Sequence, residues 1–235
     1  MKMRPQKMAT KFTISPSTLR NYEAKGLIPP AERSESGYRF YTDLHAAYLA
    51  CIQAMAPAFG MKVTTEVLHD LQRDEMHNAL WVIREKEVVL YEDKEKLERL
   101  IEEIRQLADD NTSSFAKERL TIHQVSTLMK IPKSTIRYWE HAGYVIADRD
   151  LENSYRRYHE GHLLKMKLIQ IMQNSVYSEE TVKSKHRIAA AEQSDLQCVM
   201  KLAENIRTYL DKTIESQICG ISKLHNLIQL IKTPV

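Results

Sequence analysis

Ser17, Thr18, Arg20 and Asn21 place two hydroxyls, a guanidinium and an amide within five positions. That set suits a helix entered end-on into the major groove of DNA. Hydroxyls reach phosphate oxygens, a guanidinium pairs with a phosphate or a guanine edge, and an amide pairs with adenine. Tyr22 and Lys25 extend the same segment, and Leu19, between Thr18 and Arg20, is the apolar residue that anchors the helix to its own core. A second set, Tyr38 and Arg39, falls on an extended stretch, where neighbours alternate faces. One of the two reaches the DNA backbone beside the groove while the other packs inward. Tyr41 reads as core.

Both sets occur twice. Ser17-Thr18-Leu19-Arg20-Asn21-Tyr22-Glu23-Ala24-Lys25-Gly26 returns as Ser134-Thr135-Ile136-Arg137-Tyr138-Trp139-Glu140-His141-Ala142-Gly143. Ser36-Gly37-Tyr38-Arg39-Phe40-Tyr41 returns as Asn153-Ser154-Tyr155-Arg156-Arg157-Tyr158. Arg20 to Arg137 spans 117 positions, and so does Tyr38 to Tyr155. The chain therefore reads as two units in register, with no insertion between the repeated blocks. The second copy offers Lys133, Ser134, Thr135, Arg137, Tyr138, Tyr155, Arg156 and Arg157 as contact residues, but Asp148, Asp150 and Glu152 bring acid into its hairpin.

The elements that must position these residues are legible from stops and periodicity. Ser15 is suited to cap a helix with Pro16 at its first position, and Gly26 followed by Pro29-Pro30 ends it. A short helix over Pro5 to Phe12 precedes it, giving helix, turn and helix. Ala31 to Tyr41 reads as a hairpin that must pack on the helices, because two strands do not stand alone in water. An apolar helix follows from Leu44, and then a short one from Thr64 to Leu71, capped by Thr64 or Thr65. From Ile83 the chain is charged, with Ile83, Leu90, Leu97 and Ile104 recurring every seventh residue. This predicts a long amphipathic helix of coiled-coil character. Trp81, with Met76, Leu80 and Val82, reads as a packed junction at its start. Asp109-Asp110-Asn111-Thr112-Ser113-Ser114 is a polar linker. The second unit repeats the plan, with a helix cap expected at Ser178. Its long helix runs from about Asp195 to Ile231, with Gly220 as a weak point. The expected segments are a first winged domain at 1–78, its long helix at 79–108, a linker at 109–117, a second winged domain at 118–192 and its long helix at 193–235. The fold class is mostly α, with two winged helix-turn-helix domains, each followed by a coiled-coil-forming helix.

Composition sets bounds. Of 235 residues, 43% are hydrophobic and 28% charged, as in a folded protein. No apolar run is long enough to span a membrane, and the start does not read as a signal peptide, so a cytoplasmic, nucleoid-associated protein is expected. Cys51, Cys198 and Cys219 form no Cys-x-x-Cys pair, and Cys51 lies among apolar residues as a small buried hydrophobe. No metal site and no cofactor are expected. Net charge is only +3, yet up to Phe40 eight Lys and Arg face three Glu, a local basic surface suited to phosphate.

The segment Thr18-Leu19-Arg20-Asn21-Tyr22-Glu23 through Gly26-Leu27-Ile28-Pro29-Pro30, with Ser36-Gly37-Tyr38-Arg39-Phe40-Tyr41 after it, resembles the MerR family of bacterial transcription regulators. Residues 8 to 44 carry the likeness most closely. The resemblance implies a winged helix-turn-helix that binds promoter DNA as a dimer joined through antiparallel long helices. It also implies distortion of DNA between the two promoter elements and action on RNA polymerase there. Ser17, Thr18, Arg20 and Tyr22 would belong to the recognition helix, and Tyr38 and Arg39 to the wing. The second unit departs from the pattern at Trp139, Tyr144-Val145 and Asn153-Ser154. The family's metal sensors carry cysteines near the start of the long helix, and Ala79 to Glu87 has none.

The leading expectation is a sequence-specific transcription regulator whose partner is double-stranded DNA. The alternative is an architectural or plasmid-partition protein that organises DNA without touching polymerase. An enzyme is not expected, since no glycine-rich phosphate loop, His-Glu-x-x-His or Gly-x-Ser-x-Gly occurs. Self-association through the long helices stays open between an intramolecular pseudo-dimer and a homodimer with four winged domains.

Overall fold

The computed structural model describes residues 2–109, 119–176, 179–190 and 195–233. Of the linker expected at 109–117, Asp109 belongs to a helix, and 110–117 lie outside the described residues, as does the cap expected at Ser178. Along the chain come α1 (Pro5–Lys11), α2 (Pro16–Ala24), β1 (Glu32–Arg33), β2 (Arg39–Phe40), α3 (Asp43–Phe59), α4 (Met61–Gln72) and α5 (Met76–Asp109). The second copy supplies α6 (Ile122–Met129), α7 (Lys133–His141), β3 (Asp148–Arg149), β4 (Arg156–Arg157), α8 (Glu160–Ile171), α9 (Glu179–Ala190) and α10 (Leu196–Lys232). The chain is mostly helical, with two small wings and two long helices.

Two units form, and each draws on both sequence repeats: Met1–Val88 with Lys212–Val235, and Val89–Asp211. In the first, α1 and α2 close over Met8, Leu19, Leu27 and Ile28, all almost fully buried. Tyr41, Leu49, Ile52, Met55, Val67 and Leu68 of the wing, α3 and α4 complete that core. So do Leu224, Leu227 and Ile228 from the far end of α10. Gly220 makes this approach close. A Cβ there would stand 3.2 Å from the Phe59 ring and 3.4 Å from the Ala54 carbonyl oxygen. The expectation of a weak point at Gly220 is corrected: α10 is continuous through it. The small residue is needed for contact with α3. Cys51 is fully buried, and burial pushes its thiol up to about 12.

Two further expectations in this unit change. The helix expected at Thr64 begins at Met61, directly after Gly60, whose positive φ turns the chain. Thr64 and Thr65 cap nothing; their hydroxyls donate back to the carbonyls of Gly60 and Met61. Helix α5 starts at Met76, seven residues before the heptad begins. This puts Trp81 on an outer face, 67% exposed, rather than in a packed junction.

In the second unit the wing, α6, α7 and α8 bury Val125, Ile136, Trp139, Tyr158, Leu164 and Leu168. Leu97, Leu100, Ile101 and Ile104 of α5 enter the same core, with Val199, Ala203, Ile206 and Leu210 of α10. The heptad stripe is thus buried within the chain. The two helices run antiparallel here: Glu98 meets Arg207 at 2.7 Å, and Ile104 and Ala108 share a cleft with Leu196 and Met200. Lys167 of α8 pairs with Glu103 at 2.5 Å, and Asn174 donates to Asp93 at 3.1 Å, so α5 is also pinned to this winged domain.

Candidate nucleic-acid interface

Helix α2 is built as its stops predict. Ser15 Oγ accepts the Thr18 N–H at 3.0 Å, and Pro16 opens the helix. Gly26 at φ +66° closes it, donating to the Glu23 carbonyl while Leu27 donates to that of Tyr22. The stop is held from α4, where His69 and Gln72 bond the Lys25 and Gly26 carbonyls at 3.0 and 2.6 Å. With Leu19 fixed in the core, Ser17, Arg20, Asn21 and Lys25 are exposed and Thr18 is half-exposed. Tyr22 differs: it is half-buried against the core.

The wing pairs Glu32 with Phe40 and Arg33 with Arg39, and an isolated bridge ties Met3 to Tyr41 beyond the second strand. Tyr38 stands 73% exposed near the turn. Arg39 is tethered, with Nε 3.2 Å from a Glu23 carboxylate oxygen, though without the alignment of a hydrogen bond. That same oxygen accepts the Tyr41 hydroxyl at 3.1 Å, and its partner oxygen accepts the Ala31 N–H at 3.3 Å. Burial first, and then the Glu23 charge, raise the Tyr41 phenol to about 12, so it stays a donor. One carboxylate on the recognition helix therefore holds the wing at three points.

The second copy rebuilds this latch. Glu140 accepts Tyr158 OH at 3.1 Å and Arg156 Nε at 2.7 Å. The turn between α6 and α7 repeats too, with Lys130 at φ +54° where Thr13 has φ +54°. Lys133, Ser134, Arg137 and Tyr138 are exposed and Thr135 is half-exposed. Tyr155 is 70% exposed. Arg157 is engaged, donating from Nε to Asp150 at 2.9 Å. That guanidinium, after the Glu152 backbone N–H, holds the Asp150 carboxyl below its usual range.

The expectation of repeat blocks without insertion is corrected in the wing. Arg149 pairs with Arg156 as Arg33 pairs with Arg39, and Asp148 pairs with Arg157 as Glu32 pairs with Phe40. The first strand is thus offset by 116 positions and the second by 117. One residue is missing before β3 and one is added in the turn, so the two changes cancel in the sequence. The longer turn carries Leu151, 98% exposed, and places Ser154 at φ +58° where the first wing has Gly37 at φ +83°.

The latch and the wing anchors were not singled out from sequence, although Glu23 and Glu140 repeat at the same spacing. Nor were His45 and His162. Each accepts at Nδ1 the N–H three residues before it, from Thr42 or His159, at 3.0 Å. Each also meets, through Nε2, the carbonyl that leads into the wing, Pro30 at 3.3 Å or Ile146 at 2.8 Å. Asp148 and His159 gather beside His162 with ligand-type atoms within 4.8 Å. With both His162 nitrogens engaged as in its counterpart, the group is built as a helix cap.

An exposed polar helix face, a wing tethered beside it and a basic N-terminal segment define a DNA-binding regulator. Comparison with known proteins agrees. A family profile described as MerR family regulatory protein matches residues 4–41, and one described as MerR HTH family regulatory protein matches residues 120–185. A mercuric resistance operon regulatory protein from Bacillus cereus is 29% identical over 136 residues, which are 55% of this chain and 99% of that one. The HTH-type transcriptional regulator CueR of Escherichia coli is 33% identical over 95 residues, 40% of this chain and 67% of its own. CueR of Salmonella typhi is 32% identical over 103 residues, 43% and 71% respectively. No solved structure matches the chain. The chain belongs to the MerR family, with two of the family's DNA-binding regions in tandem, and it is a transcription regulator rather than an enzyme. Among the described residues, no helix is long and apolar enough to cross a membrane.

Proposed function

We propose that this regulator reads promoter DNA as an internal pseudo-dimer, one chain supplying both reading heads. MerR-family regulators bind promoter DNA. The observation that carries the proposal is the exchange of helix ends within the chain. Leu224, Leu227 and Ile228 of α10 complete the core around the first winged domain, and Leu97, Leu100, Ile101 and Ile104 of α5 complete that around the second. A stripe covered this way does not need a second chain. Ser17, Thr18, Arg20, Asn21 and Lys25 approach the groove from the first head, with Tyr38 and Arg39 on the flanking backbone. Lys133, Ser134, Thr135, Arg137 and Tyr138 do so from the second, with Tyr155 and Arg156. Tyr22 and Arg157 support them, the one packed against the core and the other through Asp150. Binding over a promoter spacer would bring the protein to RNA polymerase.

Sedimentation and footprinting test this together. The expected result is a particle of one 27.3 kDa chain that protects a two-part site within a promoter. A dimer with four protected segments would replace the pseudo-dimer. Protection of arrays away from promoters would favour an architectural role.

A further inference from the structure

We infer that the two reading heads select different base sequences, so that the DNA target is a pair of unequal half-sites. The inference rests on the DNA-reading function proposed above and concerns what that site reads. The heads superpose in sequence through fixed structural points: the left-handed residues Thr13 and Lys130, the buried anchors Leu19 and Ile136, the stops Gly26 and Gly143, and the latches at Glu23 and Glu140. Equivalent positions on the recognition helices are therefore known without ambiguity.

Three of them agree: Ser17 with Ser134, Thr18 with Thr135, Arg20 with Arg137. These supply a shared phosphate and guanine-reading base. The next does not. Asn21 is exposed, and its equivalent is Tyr138, 61% exposed. An amide offers a donor and an acceptor side by side, which fits the N6 and N7 edge of adenine. A phenol has one hydroxyl and an apolar ring, so it cannot form that pair and fits the methyl of thymine instead. Both side chains are clear of the core, so the difference faces outward in each head.

The surroundings differ in the same sense. Exposed Lys7, Lys11 and Lys25 of the first head become Gln124, Leu128 and Ala142 in the second. Lys130 in place of Thr13 and Lys133 in place of Pro16 restore two cations, while Arg4 becomes Thr121. The second wing is longer by one residue and spends Arg157 on Asp150. The first head grips phosphates more strongly, and the second relies more on contacts to the bases. In a homodimer of identical chains both halves are forced to be alike. Here the halves are separate stretches of one chain, and nothing forces them to stay alike.

The test is selection from a random duplex pool with the full-length chain, its Tyr138→Asn variant and its Asn21→Tyr variant. The wild type is expected to enrich a site whose halves differ at one mirrored base pair. Tyr138→Asn should make that pair the same in both halves, moving preference at it roughly 5- to 150-fold toward adenine. Asn21→Tyr should equalise the halves in the opposite direction. A perfect palindrome for the wild type, unmoved by either exchange, would overturn the inference. So would a single half-site indifferent to Tyr138→Asn. Failure of all three proteins to enrich any duplex would instead refute the DNA-reading function itself, so the two failures are told apart.

Discussion

Arg20 and Glu23 sit three residues apart on one short helix and have opposite tasks. The Arg20 side chain is exposed, which leaves it open to DNA. Arg20→Ala is expected to leave thermal stability within about 0.5 kcal/mol. It should cost about 1–3 kcal/mol of binding and relax base preference, read by competition between operator variants. Glu23 is the reverse. Its carboxylate collects Arg39, Tyr41 and the Ala31 N–H, so it sets the angle between helix and wing. Glu23→Gln keeps the shape and removes the charge. It should lower stability by roughly 1–2 kcal/mol, since charged acceptors make stronger hydrogen bonds than neutral ones. If the wing addresses backbone rather than bases, as proposed, the substitution should also weaken binding across all sequences alike. A sequence-selective loss measured for this variant would assign Glu23 to base reading instead.

At the scale of elements, two joints decide the architecture. One is the crossing of α10 over α3 at Gly220. A side chain larger than hydrogen meets Phe59 and the backbone of Ala54 and Met55. Gly220→Leu raises helix propensity by roughly 1 kcal/mol but forces the helices apart, which typically costs 1–3 kcal/mol and often more at a backbone contact. A net fall in melting temperature is expected; a rise would mean that the crossing is loose. The other joint is the cap of α8. Burial, and then His159, depress the pKa of His162 from 6.5 to about 4, so the ring is neutral in the folded chain. The unfolded chain takes up that proton first. The contribution is therefore complete above about pH 6.5 and is lost as pH falls toward 4, by up to roughly 3 kcal/mol. His159, depressed in the same direction by burial, adds to it. Urea unfolding at pH 7 and pH 5 checks the sign: the midpoint must be lower at pH 5.

At the scale of the molecule, the exchange of helix ends means that neither repeat contains a complete core. A fragment of residues 1–109 lacks Leu224, Leu227 and Ile228 and leaves Leu97, Leu100, Ile101 and Ile104 without the domain they pack on. It is expected to pair with a second copy of itself, burying both faces at once, and to melt in a concentration-dependent way. A fragment that stays monomeric with undiminished stability, measured by sedimentation and thermal melts, would show that the exchanged ends contribute little.

Much of this was legible in the chain. Caps, stops and turns are local: Ser15 with Pro16, Gly26 and the repeat at 117 positions identify the helices and the two wings because a few neighbours suffice to specify each. The heptad of Ile83, Leu90, Leu97 and Ile104 likewise shows that a face must be buried. What covers that face was not legible, since an apolar stripe fits any complementary stripe. Only the folded chain chose its own α10, which meets Leu97 and Ile104 through Val199, Ala203, Ile206 and Leu210. The slip in the second wing was hidden for a related reason. A residue lost before β3 and a residue gained in its turn cancel when positions are counted, and hydrogen-bond pairing alone separates them. The carboxylates of Glu23 and Glu140 looked like ordinary surface charge until the wing closed against them, because a half-buried latch is made by residues far apart in the chain.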